Sequence, residues 1–246
     1  MDHSAGWIRS DRVRNLGDSR AMKKVVFIVA GGEMGDAAFF RKQIKEAAPA
    51  AFVCADSGAR HLKASGLVPD IVIGDLDSIA GEALSDFEKA GSRIVRHPRR
   101  KDETDTELAL YESLTLHPTE IWIWGAMGKR LDHTLANLSL LYIGIQKGLF
   151  VKLVDPWCEA FMINRRTDIV GKRGQTVSLF PVNGKVTGIT LKGFEYPLDK
   201  SVMEIGHPYG VSNRLSGVRG TINMASGLLL VVRFFRPGVF PAGKGT

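Results

Sequence analysis

Short apolar runs alternate with amphipathic segments along the first part of the chain. Four runs, at residues 25–30, 52–55, 71–73 and 121–124, are rich in aliphatic and aromatic side chains. Such runs are typical of buried strands, and the segments between them carry apolar residues at helical spacing, as in Leu135, Leu138 and Leu141. Strands that alternate with helices predict a mainly parallel sheet in a three-layer α/β domain, which we place at residues 23–150.

The pattern changes in the last third of the chain. Extended runs at residues 176–180, 186–191, 201–205, 220–223 and 228–234 are separated by Gly, Asn and Pro. Short strands with turn residues between them favour an antiparallel β-sandwich, which we place at residues 151–240. Residues 1–22 contain four arginines but no continuous apolar core, so we interpret them as a flexible extension rather than a secretory signal.

Two aspartates directly follow the apolar run at residues 71–73. Side chains alternate in extended chain, so Asp75 and Asp77 share a side, at the edge where parallel sheets bind ligands. Two convergent carboxylates suit Mg²⁺, which prefers oxygen ligands. A simpler interpretation is that Asp77 or Ser78 caps the helix that follows.

A second acidic block lies just before another helical segment. Thr104 and Glu107 fit a capping box and need no chemical role. Asp102 and Asp105 remain near an exposed turn, where either could complete a metal site with the first two aspartates. Basic residues at 97–101 precede them, and cations beside metal-binding acids suggest a polyphosphate ligand.

A third block follows the apolar run at residues 121–124 and precedes a predicted helix. A glycine turn at this place can receive phosphate on backbone amides, although it lacks the spacing of a P-loop or a dinucleotide fingerprint. The glycines could serve only the turn, and the aspartate could cap the helix. The residues of interest are Gly125, Gly128, Lys129, Arg130, Asp132 and His133.

In this order and spacing, the blocks resemble thiamine pyrophosphokinases. The resemblance covers about residues 23–236 and also includes the segments at 55–59 and 210–213. Two departures are Lys129, where many members have glycine, and Arg214, where an acidic residue is common.

The resemblance implies a fold, a reaction and a set of site residues. The reaction is transfer of the diphosphoryl group of ATP to thiamine, giving thiamine diphosphate and AMP, with Mg²⁺ as the cofactor. The implied enzyme is a homodimer that binds thiamine between the α/β domain of one subunit and the β-domain of the other. The implied roles are Mg²⁺ binding for Asp75, Asp77 and Asp102, substrate or reserve metal binding for Asp105, nucleotide or metal contacts for Asp56 and Ser57, phosphate contacts for Gly125, Gly128, Lys129 and Arg130, loop orientation or proton removal for Asp132 and His133, and thiamine binding for Ser212 and Asn213.

Composition limits the classes of protein to which the chain can belong. The chain has 246 residues, 44% of them hydrophobic, and no apolar run approaches the length of a membrane span, so we expect a cytoplasmic enzyme. Two cysteines provide neither a disulfide framework nor zinc spacing. The net charge of +7 is concentrated in the two ends of the chain, so we expect no nucleic-acid partner and no membrane partner.

Three other functions remain open from the residues alone. A diphosphokinase acting on a pterin alcohol could use the same acids and glycines. The paired aspartates could hold the metal of a nucleotide-sugar glycosyltransferase. A non-enzymatic regulator that binds ATP or thiamine is the third alternative, and an assay of turnover would separate it from the enzymes.

Overall fold

The computed structural model describes residues 23–128 and 130–236. The extension predicted for residues 1–22 and the predicted phosphate ligand Lys129 lie outside these ranges. The chain divides into two compact units, of which the first ends at Leu140 and the second begins at Leu141. This division lies ahead of the domain boundary that we placed at residue 150, and that boundary stays a prediction.

The first unit alternates strands and helices. Its elements are β1 (Val25–Val29), α1 (Ala37–Ala47), β2 (Ala51–Ala55), α2 (Ala59–Ala64), β3 (Ile71–Gly74), α3 (Gly81–Lys89), β4 (Arg93–Arg96), α4 (Asp105–Leu114), β5 (Glu120–Trp124) and the first part of α5 (Leu131–Lys147). A single 3-10 turn, Asp56–Gly58, joins β2 to α2.

The strands of this unit lie in the order β5-β1-β2-β3-β4, and all neighbours are parallel. The chain moves from β1 to β4 in one direction and then returns to place β5 on the other side of β1. This reversal of strand order lies between β1 and β5. Open α/β sheets bind ligands beyond the carboxyl ends of their strands at such a point.

Apolar burial explains why these runs form the sheet. Every residue of β1 is fully buried. The Phe27 ring stacks on Trp122 with 5.2 Å between ring centroids and also contacts Phe40 and Trp124. The aromatic cluster holds α1 against β1 and β5, so the turns after these strands start from a rigid base.

The first residues of α3 and α4 show which candidate side chains cap a helix. Thr104 caps α4 and accepts a hydrogen bond from the Glu107 amide, as the sequence predicted. The alternative that Asp77 or Ser78 caps the next helix is wrong, because α3 begins after Ala80 without a side-chain cap. Asp77 and Ser78 are therefore left for another role.

The second unit is antiparallel. After the end of α5 its strands are β6 (Phe150–Val154), β7 (Cys158–Ile163), β8 (Thr167–Val170), β9 (Thr176–Pro181), β10 (Lys185–Lys192), β11 (Leu198–Glu204), β12 (Asn213–Arg214), β13 (Arg219–Asn223) and β14 (Leu229–Phe234). They lie in two layers, in the orders β12-β9-β14-β7-β6 and β11-β10-β13-β8. Side chains from both layers share one buried core, for example Leu179, Val231, Ile189 and Ile222. This is the sandwich arrangement that the sequence predicted.

Within residues 23–128 and 130–236, every helix is too short or too polar to cross a membrane.

Candidate active site

A cleft lies at the carboxyl ends of the parallel strands of the first unit. It has a volume of about 570 Å³, and the segments after all five strands contribute to its lining. Gly31 and Gly32 follow β1, Asp56 follows β2, and Asp75 follows β3. The strand order thus brings to one place residues that are far apart in sequence.

Three carboxylates form a compact group at this edge. Oxygen atoms of Asp56, Asp75 and Asp77 all lie within 4.8 Å of one another. The Asp56 Oδ1 atom is buried and has no hydrogen-bond partner among the described residues. A buried carboxylate oxygen without a donor is costly unless a cation faces it. A group of three carboxylates, one of which carries this atom, fits a divalent cation such as Mg²⁺.

Two residues at this group, Asp56 and Leu76, have left-handed backbone. Asp56 has a φ of 43°, and Leu76, which separates the other two aspartates, has a φ of 62°. Residues other than glycine rarely adopt this left-handed region, because the Cβ atom is crowded there. Such strain is frequent at functional sites, where the surrounding structure holds it.

The two aspartates of the acidic block ahead of α4 lie in different environments. Asp102 lies on an exposed bend and is not a member of the three-carboxylate group, whose third member is Asp56. Asp105 is the first residue of α4 and lines the cleft. Its Oδ1 atom lies 2.7 Å from Lys101 Nζ and within 3.1 Å of a Cβ built on Gly74.

Cations line the cleft beside these acids. Arg99 Nε lies 3.6 Å from Asp77 Oδ2, and the nearly buried Lys101 pairs with Asp105. Arg60 donates from its guanidinium to the Gly31 carbonyl at 2.6 Å. Acidic and basic side chains therefore lie side by side in the cleft.

The turns after β1 and β5 are joined through their backbones. The Gly32 amide donates to the Gly125 carbonyl at 2.9 Å, and Gly125 has a φ of 62°. A Cβ on Gly32 would lie 2.3 Å from that same carbonyl oxygen. Only glycine permits this approach, so the two turns form one rigid floor. The Ser57 hydroxyl lies beside it, 2.2 Å from a Cβ built on Gly31.

The loop after β5 carries a charged pair. Arg130 donates to both oxygens of Asp132, at 2.9 Å and 2.5 Å, and both side chains are exposed. This hydrogen bonding holds the pKa of Asp132 well below its usual range. Arg130 and His133 line the cleft with Gly128.

The predicted thiamine ligands lie in the second unit. Ser212 has a φ of 61°, and its amide donates to Ser178 Oγ at 3.0 Å. Asn213 is buried; its Oδ1 accepts from the amides of Tyr196 and Arg214, and its Nδ2 donates to the Tyr196 carbonyl. The Asn213 side chain thus braces the segment that presents Tyr196, which is 66% exposed.

Two family models match the chain along most of its length. The thiamin pyrophosphokinase catalytic domain matches residues 42–153, and the thiamin pyrophosphokinase vitamin B1 binding domain matches residues 162–229. The chain belongs to the thiamine pyrophosphokinase family.

Individual relatives agree with this assignment. The thiamine pyrophosphokinase of Bacillus subtilis (strain 168) is 33% identical over 180 residues, which cover 72% of this chain and 84% of the relative. A crystal structure of thiamine pyrophosphokinase from Bacillus subtilis superposes with a TM-score of 0.77 at 30% identity, over 86% of this chain and 99% of that one. The structure from Geobacillus thermodenitrificans gives a TM-score of 0.73 at 26% identity, over 88% of this chain and 100% of that one.

Membership in the thiamine pyrophosphokinase family confirms the predicted fold class and the predicted enzyme, a thiamine diphosphokinase that uses ATP as co-substrate. The chain also has the B1-binding domain of thiamine pyrophosphokinases. The family favours thiamine as the acceptor over a pterin alcohol, and an ATP-dependent kinase over a glycosyltransferase or a non-enzymatic regulator.

Three further residues shape the site and were not predicted from the sequence. His61 Nε2 lies 2.7 Å from the Gly32 carbonyl, next to the contact that Arg60 makes with Gly31. The buried Asn137 donates to the Ala126 carbonyl at 2.8 Å and holds the start of the glycine loop. A polar residue inside the apolar repeat of α5 was the signal for Asn137, and the basic pair directly after residues 56–59 was the signal for the other two.

Proposed function

We propose that the diphosphoryl group of ATP passes to the hydroxyethyl oxygen of thiamine in this cleft, giving AMP, with Mg²⁺ held by Asp56, Asp75 and Asp77. The observation that carries this proposal is the Asp56 Oδ1 atom, which belongs to a group of three carboxylates, is buried and has no hydrogen-bond partner among the described residues. This set replaces Asp102 by Asp56 and keeps Asp105 as a neighbour of the substrate. When bound, Mg²⁺ would neutralise charge on phosphate oxygens.

The cations of the cleft are proposed to bind the polyphosphate. Arg99, Lys101 and Arg130 each pair with a carboxylate in this structure, at Asp77, Asp105 and Asp132 respectively. A polyphosphate offers these donors a more highly charged acceptor, and Arg binds it in a bidentate manner. The amides of Gly125 and Gly128, together with Lys129 and Ser57, complete the proposed ATP contacts.

The acceptor alcohol must lose a proton as its oxygen attacks the β-phosphorus. Asp132 is a weak base, because its hydrogen bonds from Arg130 lower its pKa, so we assign it to orienting Arg130. His133 lines the cleft beside this pair and is the proposed proton acceptor. In-line placement of the two reactants supplies the remaining catalytic effect.

Thiamine is proposed to bind where a second surface completes the cleft. Among the described residues, the cleft is lined by no Phe, Tyr or Trp, although pockets for aromatic ligands are mainly apolar. The B1-binding unit exposes Tyr196 and Tyr209 and carries Ser212 and Asn213. We propose a homodimer in which the sandwich of one subunit contributes to the site in the α/β domain of the other.

The proposed shared site has a direct test. Two variants are mixed, one carrying Asp75→Asn and the other carrying Ser212→Ala with Asn213→Ala, each inactive alone. A shared site predicts partial recovery of activity, because a mixed dimer contains one intact site. Mixed dimers without recovery would place the whole site in a single subunit.

The setting proposed for this enzyme is the cytoplasm, with no nucleic-acid or membrane partner. It is supported by the charge distribution, in which residues 205–246 carry five Lys/Arg and no acid while the central part of the chain is nearly neutral. A nucleic-acid enzyme would carry a basic stripe across its folded body.

One incubation tests the proposed chemistry. The protein is mixed with ATP, Mg²⁺ and thiamine, and the products are separated. We expect AMP and thiamine diphosphate in equal amounts, and loss of both on chelation of the metal or in Asp75→Asn. Formation of ADP with thiamine monophosphate, or product formation without divalent metal, would contradict the proposal. A pterin alcohol in place of thiamine serves as the acceptor control.

A further inference from the structure

We propose that Ser78 is a positioning residue that fixes the Asp56 carboxylate so that its Oδ1 atom stays available to the cation; the inference rests on the metal site proposed above. The Ser78 hydroxyl donates to Asp56 Oδ2. The other oxygen, Oδ1, is the buried atom without a partner among the described residues. The two oxygens of one carboxylate therefore have separate roles, one held by the protein and one left for a cation.

The position of Asp56 explains why it needs such a partner. It lies at the start of the short 3-10 turn after β2, with a left-handed φ of 43°. The torsion that rotates a carboxylate is broad and weakly restrained by the backbone. Without the Ser78 hydroxyl, the Asp56 carboxylate could rotate about this torsion and move Oδ1 out of its buried position.

The same hydrogen bond joins the two loops that supply the carboxylates. Asp56 follows β2, and Ser78 ends the segment after β3 that contains Asp75, Leu76 and Asp77. The bond spans 22 positions in sequence and sets the spacing between the loops. Ser78 has no competing role at the helix start, since α3 begins after Ala80 without a side-chain cap.

A hydrogen-bond partner outside the ligand set matters because it orients the ligand before the metal binds. Removing such a partner typically costs about 10–100-fold in metal affinity or activity. The effect should appear in metal binding and in the Mg²⁺ dependence of turnover, while the KM for thiamine stays unchanged.

The experiment measures Mn²⁺ binding by electron paramagnetic resonance, without nucleotide or thiamine. We expect Ser78→Ala to raise the Kd for Mn²⁺ by about 10–100-fold, and Ser78→Thr, which keeps the hydroxyl, to bind within about 3-fold of the unchanged protein. The matched control is Ser113→Ala, which removes a hydroxyl that donates to the Ala109 carbonyl inside α4. It should leave Mn²⁺ binding unchanged.

Two outcomes separate the possible failures. If Asp75→Asn weakens Mn²⁺ binding and a folded Ser78→Ala does not, the role of Ser78 is refuted and the metal site stands. If neither variant changes Mn²⁺ binding, the metal site itself is wrong. Thermal unfolding reports whether each variant is folded. Should Ser78→Ala fail to fold, Ser78→Thr decides, since weakened binding in a folded Thr variant that keeps the hydrogen bond would overturn the proposal.

Discussion

The substitution Gly32→Ala tests whether the floor of the cleft is rigid. The new Cβ would lie 2.3 Å from the Gly125 carbonyl oxygen, whereas ordinary contacts begin at 3.4 Å. A backbone oxygen cannot rotate away, so the turns after β1 and β5 must separate by about 1 Å and lose their hydrogen bond. Overpacking of this kind costs about 1–3 kcal/mol of unfolding free energy. A displacement of about 1 Å in groups that position a substrate costs about 100-fold in rate.

The measurements are thermal unfolding and kcat/KM for ATP, followed through AMP release. We expect a Tm lower by roughly 2–4 °C per kcal/mol lost, and kcat/KM lower by about 100-fold. The matched control is Gly81→Ala at the start of α3, where an added Cβ meets nothing within 4 Å. It should lower neither quantity. A Gly32→Ala protein with unaltered Tm and kcat/KM would refute the rigid floor.

The proposed metal ligands, the arginine of the glycine loop and the half-buried histidine can be tested separately. Asp75→Asn and Asp77→Asn should each lower turnover at least about 100-fold with unchanged circular dichroism, and near-normal turnover at saturating Mg²⁺ would exclude them as ligands. Arg130→Ala frees Asp132 and should raise the KM for ATP far more than that for thiamine; the reverse pattern in steady-state kinetics would move Arg130 to the thiamine site. Burial lowers the pKa of His61 below 6.5. The stability that this neutral side chain contributes is therefore present above pH 6.5 and is lost as the pH falls below it, so His61→Gln should reduce the loss of unfolding free energy between about pH 7 and about pH 5. Urea titrations with equal pH dependence in both proteins would disprove this.

Apolar runs were sufficient to predict four buried strands of the first unit, whereas the buried strands β6 and β7 were not predicted. β1, β2, β3 and β5 are buried along nearly their whole length, so their runs stand out in the sequence. β4 was not predicted, because its Arg-Ile-Val-Arg sequence lies at the sheet edge with exposed ends. Burial from one side only leaves a strand of four residues without a clear apolar signal.

The sequence predicted those parts of the candidate site whose residues are close together along the chain. Asp75 and Asp77 are close in sequence, and alternation along an extended segment predicted that they share a side. In the structure a turn pairs them instead, because Leu76 between them has a left-handed φ of 62°. Their partnership with Asp56 depends on β2 lying directly beside β3, which no local pattern reveals. Asp102 carries the same motif signal as its neighbours, but the bend ahead of α4 leaves it exposed.

The role of Asn213 shows a second limit of the sequence. A motif identifies the residue but not the direction in which its side chain points. Asn213 Oδ1 and Nδ2 are both occupied by the backbone of Tyr196, so its proposed contribution to thiamine binding acts through the placement of that segment. Such long-range pairing follows from the tertiary fold alone.

The most direct measurement of the central claim follows the two ends of the ATP polyphosphate. Separate incubations with thiamine and Mg²⁺ use ATP labelled with ³²P at the α- or the γ-phosphorus. Diphosphoryl transfer predicts that the γ label appears in thiamine diphosphate and the α label in AMP. Recovery of the γ label as free phosphate, or of the α label in the thiamine product, would contradict attack at the β-phosphorus.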